Sequence, residues 1–403
     1  NHIFSKQLYG LSITELTSLL SRRSVYCSKA ADGKYSVCED FDSQQGNILF
    51  NRVEHVWAKG RCAFCGARQK NYERGEELET HAYQFIHAEN PEDIFNMKFD
   101  VIVGNPPYQL DTGGTARQAK PIYQLFIQQA IKLNPRYLTM IIPSRWFTGG
   151  MGLNAFRKQM LNDKQISHMV DFESASDVFP GVDIAGGVCY FLWEKDHNGS
   201  CKVTSMRNNT PLTLERSLNE FNIFIRDSRA MPIIRKVLST DEYKKRNLSA
   251  TVASLKSFGL PTNYPPQTSG VPCWFIQKIG LKYANENDIA DVNKFLNKWK
   301  LLIPEAPIAG QTDFTKPIRF YHNKNAFVAK PGEACTESWI VACALPTKRE
   351  VLSFKSYLFT KTVRFLILQT VISQHVNKKN FSFVPDLLKY EKKYTDKILR
   401  RKW

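Results

Sequence analysis

The chain has 403 residues, 43% of them hydrophobic and 12% aromatic, with 55 Lys/Arg against 38 Asp/Glu and a formal net charge of +17. That length holds two or three domains with sizeable cores, and the apolar content excludes a disordered chain. No apolar run approaches the roughly 18 residues of a bilayer-spanning helix, so no membrane partner is expected. Nine cysteines, an odd count with no secretory signal ahead of them, predict a reducing compartment rather than a disulfide framework.

In chain order, Leu8 to Ile13 reads as a strand end, and Thr14 caps a helix that runs to about Tyr26. Residues 27–80 read as an insertion with alternating stretches from Asn47 to Trp57 and an acidic run from Glu73 to Glu79. Within it, Cys62-Ala63-Phe64-Cys65-Gly66 has the spacing of half a zinc site: two thiolates on one tight turn, with glycine relieving the backbone. Tetrahedral zinc takes two more ligands, with Cys27, Cys38 and His55 as the candidates, so a structural zinc on Cys62, Cys65, Cys38 and Cys27 is the expectation. A redox C-x-x-C is disfavoured because no helix opens on it. Ala82 to His87 resumes as a strand.

Phe99 to Tyr108 then reads Phe-Asp-Val-Ile-Val-Gly-Asn-Pro-Pro-Tyr. Val101, Ile102 and Val103 suit a buried parallel strand, and Asn105-Pro106-Pro107-Tyr108 follows as a stiff polar turn. In open α/β sheets ligands bind beyond the carboxyl ends of the strands. Two prolines fix φ and remove two donors, so nearby carbonyls point outward unsatisfied, and Asn105 adds a side-chain carbonyl. Acceptors of this kind can hold the two hydrogens of a conjugated amine while its lone pair faces an electrophile, and Tyr108 can stack on the ring that carries it. Positioning and electrostatics then supply most of the rate.

Beyond the turn the sequence predicts a helix over 119–133, a buried strand over 137–142 and a helix over 151–161. Strands follow over 166–172 and 187–193, with Phe179-Pro180-Gly181 between them. The alternation implies an α/β fold with a doubly wound, mostly parallel sheet. From about 206 the pattern changes to an α+β region: 212–238 mostly helical, 261–272 loop, a strand over 338–345 and an apolar helix over 357–372. Between Val341 and Trp403 there are 14 Lys/Arg against 4 Asp/Glu, an excess of +10. That imbalance favours a polyanion, with Lys361, Arg364, Lys378 and Lys379 as candidate phosphate contacts.

The Asn-Pro-Pro-Tyr turn after a strand opening with Phe99-Asp100 resembles the catalytic motif of S-adenosylmethionine-dependent N6-adenine methyltransferases. The Pro-Ser-Arg-Trp-Phe segment at 143–147 and the segment from Phe179 to Val188 follow in the order of the gamma class, which is fused into large restriction–modification enzymes. The resemblance covers residues 1–205. It implies a Rossmann-like catalytic core over 1–205 and a basic target-recognition domain over 206–403, acting on double-stranded DNA in a bacterial or archaeal cytoplasm. It assigns Asn105, Pro106, Pro107 and Tyr108 to catalysis, Tyr108 and Phe179 to the flipped base, and Ser12, Glu15, His87 and Asn105 to S-adenosylmethionine. Ser12 departs from the acid usual at the ribose position.

No counterpart of the family's first glycine loop precedes residue 8. With no initiator Met, this leads us to expect a piece of a longer polypeptide whose missing part holds that loop and has room for a nuclease. Glutamine-amide and RNA-guanine methyltransferases share the turn, and a non-catalytic DNA-binding module on a decayed fold is the alternative of another class.

Overall fold

The computed structural model describes residues 1–73, 82–110, 120–182, 184–207, 210–307, 321, 325–371 and 375–403. Residues 74–79 of the acidic run, Asp183 and Ile372 lie outside them. The chain forms two compact units: residues 1–170, 188–202 and 215–217 in the first, and 171–187, 203–214 and 218–403 in the second. Among the described residues no helix is long and apolar enough to cross a membrane.

The first unit opens with β1 (Gly10–Leu11), α1 (Glu15–Tyr26) and β2 (Ile48–Leu49), β1 and β2 pairing in parallel. Thr14 and Thr17 close a capping box at the start of α1. A hairpin of β3 (Trp57–Ala58) and β4 (Arg61–Cys62) turns through Lys59 and Gly60, both at positive φ, and is followed by short helical turns α2 (Gln69–Tyr72), α3 (Gln84–His87) and α4 (Glu92–Phe95). The strand expected over 82–87 is instead one bridge at Ala82 and the turn α3. The Gln129 side-chain amide donates to the Phe85 and Ala88 carbonyls at 2.9 and 2.7 Å, which helps to satisfy the turn.

The main sheet comprises β5 (Val101–Gly104), β6 (Tyr137–Pro143), β7 (Ile166–Phe172), β8 (Val188–Glu194), β9 (Cys201–Arg207) and β10 (Thr210–Arg216), in the order β10-β9-β7-β8-β6-β5. β5 and β6 are parallel and joined through α5 (Tyr123–Lys132), a βαβ unit; α6 (Asn154–Asn162) leads into β7. β8 is antiparallel to β6. The Glu194 amide donates to the Gln165 carbonyl at one end of β7 and β8, and Gly187 lies against the Phe172 carbonyl at the other, so these two also run antiparallel. β5, β6 and β7 therefore share one direction with β8 reversed among them: a mixed, mostly parallel α/β sheet. Gly187 has φ +76°, and a Cβ there would lie 2.0 Å from the Phe172 oxygen, so only glycine fits.

β5 departs from its expected burial. It is parallel, but Val101 is 54% and Val103 74% exposed. Among the described residues β5 pairs with β6 alone, which makes it an edge.

In the second unit, α7 (Met231–Leu238) and α8 (Asp241–Lys245) precede two three-stranded sheets. One has the order β12-β11-β15, from β11 (Val271–Trp274), β12 (Leu281–Ala284) and β15 (Ala334–Cys335); the other has the order β14-β13-β16, from β13 (Trp299–Pro304), β14 (Phe327–Ala329) and β16 (Trp339–Leu345). Helices α9 (Lys348–Leu358), α10 (Lys361–Leu368) and α11 (Asp396–Lys402) follow. Alternation in β13 and β16 sends Leu301, Ile303, Ile340 and Ala342 into one core and Leu302 and Val341 into another, so both faces of that sheet are covered.

Two helix expectations fail here. Thr210–Arg216 is a strand, because Leu212 and Leu214 alternate, and Pro211 is tolerated on an edge. The helix expected over 357–372 is broken at Thr360, whose hydroxyl caps α10 at the Val363 amide and donates to the Tyr357 carbonyl.

Candidate active site

Asn105 to Tyr108 leave the carboxyl end of β5, with the Asn105 side chain exposed, Pro106 buried and Tyr108 half-buried. The chain returns alongside them. Ile122 donates to the Tyr108 carbonyl at 3.2 Å and Leu110 to the Lys120 carbonyl at 2.9 Å, clamping the far end of the turn. Burial, with Cys189 of β8 nearby, pushes the Tyr108 phenol up to about 12, so it stays protonated at neutral pH. The Tyr108 hydroxyl is buried and has no hydrogen-bond partner among the described residues. Tyr108 is thus held half-buried, with no polar commitment of its hydroxyl among the described residues.

Ser12 follows the carboxyl end of β1 and donates its amide to the Leu49 carbonyl at 2.9 Å, and Glu15 is exposed in the first turn of α1. Tyr9 packs edge-on against Phe99 with ring centroids 5.9 Å apart, so β1 and β5 are joined where they begin. Phe179 follows a 3-10 turn at Ala175–Asp177 and donates its amide to the Ala175 carbonyl at 2.8 Å.

The His87 imidazole lies in a group with His55, Cys62 and Cys65, whose ligating atoms are all within 4.8 Å of one another. Cys27 and Cys38 are not in that group: Cys27 is exposed at the left-handed end of α1, and the buried Cys38 thiol lies 3.9 Å from the Asn1 carbonyl. Burial lowers the His87 pKa, opposed by its contact with the Tyr83 carbonyl. Burial also raises that of the Cys65 thiol, and the nearby Cys62 raises it further.

In the second unit Lys361, Lys378 and Lys379 are exposed, the last two on a 3-10 turn capped by Asn377. Arg364 instead reaches the Thr360 and Tyr321 carbonyls, at 3.4 Å each. Sequence reasoning missed Arg226. Its guanidinium makes two 2.6 Å bonds to the fully buried Asp171 carboxylate and donates to the Phe172 and Gly186 carbonyls, tying both ends of the segment that carries Phe179. No local pattern marks a pair 55 positions apart.

Residues 6–179 match the Eco57I restriction-modification methylase family. The resemblance carried by the Asn-Pro-Pro-Tyr turn stands on that match and on two relatives. One is a Mycoplasma pneumoniae protein described as an uncharacterized adenine-specific methylase, 33% identical over 60% of this chain and 64% of its own length. The other is the Escherichia coli type II restriction enzyme and methyltransferase RM.Eco57I, 34% identical over 22% of this chain and 11% of its own. The chain therefore spans just under two thirds of the first and a small part of the second. Among solved structures, the type IIG restriction endonuclease BpuSI aligns with a TM-score of 0.31 and 11% identity over 72% of this chain and 47% of its own, too loose a likeness to add to the sequence match.

Proposed function

We propose that this chain is the catalytic and DNA-contacting part of an S-adenosylmethionine-dependent N6-adenine DNA methyltransferase of a restriction–modification system, working inside a bacterial or archaeal cell. The observation that carries the reading is the Asn105–Tyr108 turn at the carboxyl end of β5, with Asn105 exposed beside the half-buried ring of Tyr108. Asn105 Oδ1 and the Pro106 carbonyl accept from the two hydrogens of an adenine amino group, and Tyr108 stacks on the base after it leaves the duplex. Fixed acceptors hold the nitrogen lone pair toward the donor at little reorganisation cost.

The residues present fit the donor: Ser12 and Asn105 each follow the carboxyl end of a strand, and Tyr9 on Phe99 joins the two strands. Ser12 and Glu15 would hold its nucleoside end. S-adenosylmethionine, when bound, supplies an electrophilic methyl group. His87, turned into the Cys–His group, is left out of this assignment. The second unit supplies target contacts, with Lys361, Lys378 and Lys379 on phosphates.

Replacing Asn105 with Ala in the full-length enzyme should cut methyl transfer by about 10²–10³, the usual loss for one preorganised hydrogen-bonding group, and leave duplex affinity largely intact. Tritiated methyl incorporation into adenine measures the first and a filter-binding titration the second. Near-normal incorporation by Asn105→Ala would remove the basis of the reading.

A further inference from the structure

We propose that His55, Cys62, Cys65 and His87 form a closed structural zinc site. The four donors come from three separate stretches: the residues before β3, the β4 end with its following turn, and the last residue of α3. Cys62 Sγ lies 3.4 Å from His87 Nε2, and Cys65 Sγ lies 3.6 Å from His55 Nδ1. For zinc bonds of about 2.3 Å to sulfur and about 2.0–2.1 Å to nitrogen, the S···N edge of a regular tetrahedron is about 3.6 Å. Both pairs therefore stand at the separation a central ion imposes.

The surroundings are those of a ligand set. The His87 Nδ1 is 2.7 Å from the Tyr83 carbonyl, a contact that requires the proton on Nδ1 and leaves the Nε2 lone pair facing the thiols. The Ala67 amide donates to Cys65 Sγ at 3.5 Å, and Gly66 takes φ +72° to close the turn. Lys120 donates its ammonium to the Cys65 carbonyl at 2.9 Å, placing a positive charge on the turn that carries the Cys65 thiol. Trp57 and Tyr72 pack on His55, and Phe64 on His87. Two sulfurs and two nitrogens in a tetrahedron select zinc, and four protein ligands leave no open position for catalysis.

The site would staple the β3–β4 hairpin to α3. Gln129 already joins α3 to α5, the helix that follows the returning arm of the Asn105–Tyr108 turn. The metal therefore braces one wall behind the candidate active site and does not enter its chemistry.

The purified full chain should carry about one zinc, and exchange into cobalt should give the intense visible bands of a tetrahedral ion with thiolate charge transfer in the near ultraviolet. Cys62→Ser and His87→Ala should each lose the metal, and Cys38→Ser should keep it. A folded chain free of zinc whose cobalt spectrum is octahedral overturns the site. Loss of zinc in Cys38→Ser, or full zinc in both ligand variants, overturns this ligand set. If the variants do not fold, the wild-type cobalt spectrum decides alone.

Discussion

Tyr108 carries its energetics in its ring rather than its hydroxyl. An unpartnered buried hydroxyl adds nothing that phenylalanine lacks, whereas an aromatic face under a base contributes about 1–3 kcal/mol. Tyr108→Phe should therefore retain most of the methyl-transfer rate, and Tyr108→Ala should weaken productive binding of the adenine by about 5- to 150-fold. Single-turnover methylation of duplexes carrying the target adenine separates the two; a Phe variant as poor as the Ala variant would give the hydroxyl a role. The contrast with His87 shows what was legible at this scale. Asn105 to Tyr108 are contiguous and could be read as a unit. His87 joins Cys62 from 25 positions away because α3 turns it inward, and that distance matches no standard ligand spacing.

Elements were legible where one periodicity had no competitor. The capped helix after Thr14, and strands β6, β7 and β8, were expected from their apolar runs and lie where those runs do. The failures have physical causes: Thr360 caps a new helix inside an apolar stretch, and the Gln129 amide stabilises a turn where a strand was expected. The segment between β7 and β8 depends on a residue no period reveals. Arg226 neutralises Asp171, which has no exposed side-chain surface. Removing one partner of such a pair strands the other and costs about 3–5 kcal/mol. Arg226→Met should lower the urea midpoint accordingly, and adding Asp171→Asn should recover part of it. A midpoint unchanged in the single variant would mean the pair contributes little.

Across the whole chain the charge is less simple than its total. Lys300 spends its ammonium inside, on the carbonyls of Phe295, Leu296, Lys298 and Lys330, and adds nothing to a binding surface. Lys378 and Lys379 face solvent. If both touch phosphate, neutralising them should flatten the plot of log K against log[salt] by up to about two units, since each contact contributes a slope of about −0.9 on duplex DNA. Cognate and random duplexes should weaken alike, and an unchanged slope would return these lysines to bulk solvent. Composition located the basic excess, but not which lysines were buried, because burial depends on partners distant in sequence.

The exposed flank of β5 has a practical consequence. Among the described residues the backbone groups of β5 that face away from β6 have no strand partner, so in a concentrated sample of this chain they offer a strip onto which an extended peptide, or a second molecule, can add. The strip is only four residues long and ends at Gly104, shorter than the roughly six residues that stack into fibrils, so it favours reversible clumping over amyloid. In a sample of this chain, a lysine at position 103, where the side chain is already 74% in water, would guard the strip as natural sheets guard theirs, and it would touch none of the cores formed by the described residues.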